Sequence, residues 1–240
     1  KLIPWVFVWI WSTGFIAAKY GLPYAEPFTL LSYRFVITLF FLLILIIYKK
    51  SPWPETRLDF FHLLIAGVLI HGVYLGGVFQ ALKWGMPAGL GAMVIGLQPI
   101  GMALVAGLLL KEEVSKKQWA GLIMGLVGLY LVLFDSLDLT EQIAFDGFPI
   151  WAVFAVIISL FAISIGTIYQ KRFCSNMNLY SGAWVQYFSA SILCVLIVLF
   201  FENGEVSWSR TFILAITWQV LGLSIGAILL LMTMIKKNAL

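Results

Sequence analysis

Gln98 and Pro99 stand near the middle of an apolar run that extends from Met86 to Leu110. A proline inside a helix has no N–H to give, so a carbonyl one turn back loses its partner. In lipid, that carbonyl must be met by protein or by a water-filled cavity. Interrupted helices at the bilayer midplane are how many carriers build their solute sites. The Gln98 amide beside the break either bonds a neighbouring helix or lines such a cavity. His71 lies near the middle of the run 60–82, as a neutral histidine bonded to the next helix or as a proton carrier, since imidazole titrates near pH ~6.5. Arg34 lies inside the run 28–48, ~9 Å of helix rise from its start. A guanidinium there needs a partner or a wet cavity, unless it snorkels back to the interface.

Trp9, Trp11, Tyr74, Tyr169, Trp184 and Trp218 are aromatics placed to line a pocket or to face lipid. Trp53, Trp84, Trp119, Trp151 and Trp208 sit at the ends of runs and read as an interfacial belt. No acid lies deep in any apolar run, and there is no His-Glu-x-x-His, no Ser/His/Asp set and no glycine-rich phosphate loop after a strand. Cys174 and Cys194 are too few for a disulfide framework or a metal site. The expectation is a protein that is not an enzyme, with no cofactor, no metal and no nucleic-acid partner.

The elements that must hold these residues are membrane helices. Of the 240 residues 62% are hydrophobic and 11% charged, with a mean hydropathy of +1.01, whereas a soluble domain carries ~25% charged residues. Helical spans are predicted at 2–20, 28–48, 60–82, 87–110, 117–134, 149–170, 178–201 and 211–235. The ~10-residue alternating segments of a transmembrane barrel are not seen. If the amino end is cytoplasmic, that side holds Lys1, Lys49, Lys50, Arg57, Lys111, Lys116, Lys117, Lys171, Arg172, Lys236 and Lys237, while the other side holds only Lys19, Lys83 and Arg210. Lysine and arginine concentrate on the cytoplasmic side, so this orientation is expected. The linker 135–148, with Asp135, Asp138, Glu141 and Asp146, then falls outside.

The chain also repeats itself. Ser12-x-Gly14-x₄-Lys19 recurs as Ser164-x-Gly166-x₄-Lys171, an offset of 152 (164 − 12), and the same offset pairs Arg34 with Gln186. Gly72 and Gly76 match Gly222 and Gly226 at a different offset, 150, either across a gap or by accident. Spans one to five are therefore expected to recur from span six. An odd number of spans inverts the second copy, giving the architecture that supports alternating access. At the 153 offset of Lys83 and Lys236, Leu240 matches Pro87, so the second copy is expected to stop before its fourth span. The domain expectation is a first repeat over 1–134, a linker over 135–148 and an incomplete second repeat over 149–240.

Leu97-Gln98-Pro99, Lys111-Glu112 at the turn, and Gln118-Trp119-x-Gly121 with Gly125 and Gly128 together resemble the EamA-type members of the drug/metabolite transporter superfamily. The resemblance implies an all-α polytopic membrane protein of two inverted five-helix halves, with about eight of ten transmembrane helices present here. It implies a secondary transporter that moves small metabolites such as amino acids, often outward, across the bacterial inner membrane. Spans one, three, four, six, eight and nine would line the path. The implied substrate-contacting residues are Trp11, Ser12, His71, Tyr74, Gln98, Ser164 and Trp218. Gly14, Arg34, Pro99, Glu112 and Gln186 would have structural or gating roles. The partners implied are a small solute and membrane lipid, with His71 the candidate for proton coupling. A non-transporting membrane scaffold or receptor subunit is the alternative. A sugar-nucleotide exchanger would want several basic residues in the cavity, and the visible spans offer only Arg34. Small multidrug exporters of the superfamily hold cations with a glutamate in the first span, and this first span has no acid. Neutral, zwitterionic or anionic solutes are therefore expected.

Overall fold

The computed structural model describes residues 3–110, 115–134, 147–227 and 229–230. Among them every regular element is helical: α1 (Ile3–Ser12), α2 (Gly14–Gly21), α3 (Pro27–Lys49), α4 (Arg57–Gly67), π1 (Val68–Val73), α5 (Tyr74–Lys83), α6 (Ala88–Gly96), α7 (Gln98–Leu110), α8 (Lys116–Phe134), α9 (Ile150–Phe173), α10 (Leu179–Phe201), α11 (Arg210–Thr217) and π2 (Trp218–Gly226). Among the described residues, five continuous stretches are long and apolar enough to cross a membrane: Pro27–Lys49, Arg57–Lys83, Ala88–Gly107, Ile150–Phe173 and Leu179–Phe201. The 23 residues of α3 rise ~34 Å at 1.5 Å each, enough for a hydrocarbon core of ~30 Å. Glu112 and the linker residues 135–146 lie outside the described residues.

Within the described residues, helix covers the expected spans, the eighth only through Gly226, but four are not plain α-helix. The first breaks at Thr13. The hydroxyls of Ser12 and Thr13 donate to the carbonyls of Trp9 and Ile10 at 2.8 and 2.6 Å, competing with the helix ladder just before Gly14. The third and eighth widen at π1 and π2, where Tyr74 N–H donates to Leu69 O and Ala227 N–H to Gly222 O. The fourth breaks at Leu97, and Pro99 falls in the first turn of α7, where no N–H is needed.

The ends are set by local chemistry. Thr56 and Asp59 form a reciprocal cap on α4, Asn178 caps α10 and Ser209 caps α11. Gly85, at φ +100°, ends α5 in the left-handed region, with Met86 N–H donating to Ala81 O at 3.1 Å.

Two packings dominate, α3 on α10 and α5 on α9, with α4 and π1 also lying on α10. Lipid gives no hydrophobic drive between helices, so close contact relies on small residues. Gly67 illustrates this: a Cβ there would collide with the Gln186 carbonyl and the Ser189 hydroxyl. The end of the bundle holding residues 22–29 and 201–209 is tied by polar contacts. Glu202 accepts from Phe28 N–H at 2.9 Å, from Thr29 N–H at 2.7 Å and from the Thr29 hydroxyl at 2.7 Å. An anion at a helix N-terminus is favoured by the aligned peptide dipoles, and Glu26 makes no side-chain cap of its own there. Lys83 pairs with Glu26 at 3.2 Å, and Ser207 N–H donates to Tyr24 O at 2.8 Å.

Candidate solute-binding cavity

A cavity of about 270 Å³ lies between α1–α2, α3, the π1–α5 segment, α9, α10 and π2. It reaches Cys174, Met177 and Asn178 at the α9–α10 turn, whereas residues 22–29 and 201–209 contribute nothing to its walls. Its size is at the small end of ligand pockets, which run ~300–1,000 Å³.

The walls are aromatic with a few polar groups. His71 enters from π1, where the wide turn inserts an extra residue into the ladder, a feature often found at functional sites. Its ring stacks on Tyr187 at 4.2 Å between centroids, and Tyr187 packs on Phe35 at 5.5 Å. Gln186 faces the imidazole. Arg34 is 6% exposed and points into the same space. Its Nε donates to Ser224 Oγ at 3.2 Å, its guanidinium lies 6.0 Å from the Phe35 ring centroid, and the Tyr187 hydroxyl faces it. Among the described residues the lining contains no carboxylate, no lysine and no arginine other than Arg34.

Of the residues singled out in the sequence, the cavity brings together Trp11, Gly14, Arg34, His71, Tyr74 and Gln186. The others lie elsewhere. The Ser12 hydroxyl is spent on Trp9 O. Gln98 donates to Thr167 Oγ1 at 3.2 Å, a bond between α7 and α9. Ser164 is fully buried, donates to Leu160 O at 2.6 Å and sits against Gly101. Trp218 donates through Nε1 to Thr13 Oγ1 at 2.7 Å and meets Trp9 edge-on. Pro99 opens α7 away from the cavity lining, and Glu112 is outside the described residues.

Tyr187, Ser224 and Glu202 were not singled out by sequence. Tyr187 had a usable signal, because the 152 offset that pairs Arg34 with Gln186 pairs Phe35 with Tyr187 (187 − 35). Ser224 had a weaker one, as the 150 offset of the paired glycines matches it with Tyr74 (224 − 74). For Glu202 the sequence shows only an acid after an apolar run.

The model of the EamA-like transporter family matches residues 5–134. A probable amino-acid metabolite efflux pump of Salmonella typhimurium is 27% identical over 163 residues, 68% of this chain and 50% of that protein. The protein of the same name in Escherichia coli is 26% identical over 168 residues, 70% and 52% of the two chains. An uncharacterized transporter of Bacillus subtilis, YyaM, is 28% identical over 156 residues, 60% and 50% of the two. The chain thus spans about half the length of these curated relatives. One solved crystal structure superposes with a TM-score of 0.63 at 20% identity, over 96% of this chain and 76% of the other, a likeness of fold.

Proposed function

This chain belongs to the EamA-like transporter family, and from that premise we propose that it exports small amino-acid-type metabolites across the bacterial cytoplasmic membrane by alternating access. The observation that carries the reading is a cavity whose walls hold residues spaced at the offsets of the expected repeat. Arg34 and Gln186, 152 residues apart, both line it. So do Trp11 and Ile163 at the same offset, and Tyr74 and Ser224 at 150. The capping hydroxyls of Thr56 and Ser209 stand 153 apart (209 − 56), and π1 and π2 begin 150 apart (218 − 68). These correspondences support two related halves, the first over 1–134 and the second from 149. The solute would sit where they meet.

The tie between Glu202 and the start of α3 supports a gate at the end of the bundle away from Cys174. Basic loops support a cytoplasmic amino end, so that gate would face outward and the cavity inward. The walls favour neutral, zwitterionic or anionic solutes, since a cation would meet Arg34 and no carboxylate in the lining. His71, stacked on Tyr187 and close to Arg34, is the group proposed to link transport to protons.

Amino-acid release from bacteria loaded with labelled dipeptides tests this. Producing the protein should accelerate the appearance of at least one amino acid outside the cells. Unchanged release of all twenty, with the protein present in the membrane fraction, would overturn it.

A further inference from the structure

Arg34 is a permanent cation, 6% exposed, within a membrane-spanning helix. Such a group is costly to hold without an anion, and by default it marks a functional site. Among the described residues it has no carboxylate partner, and the cavity it faces contains none. What it does have holds it in place. Ser224 Oγ accepts from Nε at 3.2 Å, and the guanidinium carbon lies 6.0 Å from the Phe35 ring centroid. Ser224 occupies Nε and the Tyr187 hydroxyl meets the guanidinium, which leaves further terminal N–H groups facing the cavity, and a guanidinium presents such groups in a planar fork that matches the oxygens of a carboxylate.

We infer that Arg34 is the anchor for a carboxylate of the transported solute, and that Ser224 is the residue that orients it. The anchor stands beside the Tyr187–His71 stack, so the ligand class is a small monocarboxylate with an apolar or aromatic body. An α-ammonium is tolerated by the neutral acceptors Gln186 and Tyr74 and is not required for binding. Arg34 is the one cation in the lining among the described residues, and this sets the charge of the guest, because a phosphate dianion would want a second basic group. This inference rests on the proposed function for the term "transported", and its binding test is independent of it.

The test is direct binding by calorimetry to the purified protein in detergent. The probes are 3-phenylpropionate, its neutral analogue 3-phenylpropionamide and phenethylamine. The expected order is carboxylate over amide by about tenfold to hundredfold, the usual weight of a hydrogen bond to a charged group, with the amine weaker still. Arg34→Gln should abolish the preference for carboxylate over amide, and Arg34→Lys should keep part of it. Ser224→Ala leaves the charge in place and should reduce the preference by a smaller factor, which keeps the test open if Arg34→Gln does not fold. Equal binding of carboxylate and amide, or no binding of either, overturns the anchor. So does a preference that survives in a folded Arg34→Gln protein. If the binding pattern holds while cells show no solute release, the anchor stands and the transport reading falls.

Discussion

His71 stands where the third span widens from α4 into π1, and the groups around it are named by the structure. Arg34 comes from α3, Gln186 and Tyr187 from α10, and Tyr74 from the following turn. If the imidazole links protons to solute, His71→Gln should keep an amide of comparable reach while removing the titrating group. Uptake into vesicles should then lose most of its dependence on an imposed pH gradient, while solute binding stays within a few fold of the parent. An unchanged response to the gradient would remove His71 from that role. The depth of Arg34 and His71 could be read from their places in apolar runs, and with it their capacity to do chemistry. Their meeting could not, because each needs the register of a different helix on α10. Ser164 shows the converse. Its repeat with Ser12 was legible, yet its hydroxyl is taken up by Leu160 O one turn back, as small hydroxyls in membrane helices often are.

Gly67 lets α4 approach α10 so closely that a methyl would strike backbone, whereas Gly89 has open space around it. Gly67→Ala should therefore cost about 1–3 kcal/mol through overpacking, seen as a lower midpoint of thermal unfolding in detergent, and Gly89→Ala should not. Glu202→Gln weakens the anion at the start of α3 and should cost about 1 kcal/mol. It should also raise labelling of a cysteine placed at Thr29, if the tie is a gate that opens. Pro99 belongs with these. Apolar length and end residues made the helical spans legible to within a few residues wherever their ends are described. The break in the fourth was expected from Pro99, and it falls at Leu97, with the proline settling into the first turn of α7. The two π turns had no sequence signal beyond the paired glycines, since an extra residue in a helix turn is a matter of hydrogen-bond register. If the break serves transport, Pro99→Ala should slow flux while leaving the unfolding midpoint nearly unchanged.

The molecule as a whole is proposed as two related parts enclosing one solute, tied at one end and reached from the other. Orientation comes first. Glu205 is exposed beyond α10 and Glu55 before α4, while Cys174 and Cys194 are buried. A cysteine at position 205 should react with an impermeant maleimide in intact cells, and one at position 55 only after permeabilisation. The reverse pattern would invert the proposed topology. Alternating access itself is tested most directly by counterflow in proteoliposomes, with unlabelled amino acid inside and a trace of the labelled compound outside. Transient accumulation of label above equilibrium is expected, because unlabelled solute inside competes with the entered label for the site that would carry it out, and it should be lost in Arg34→Gln. Label that only equilibrates, with or without solute inside, would contradict it.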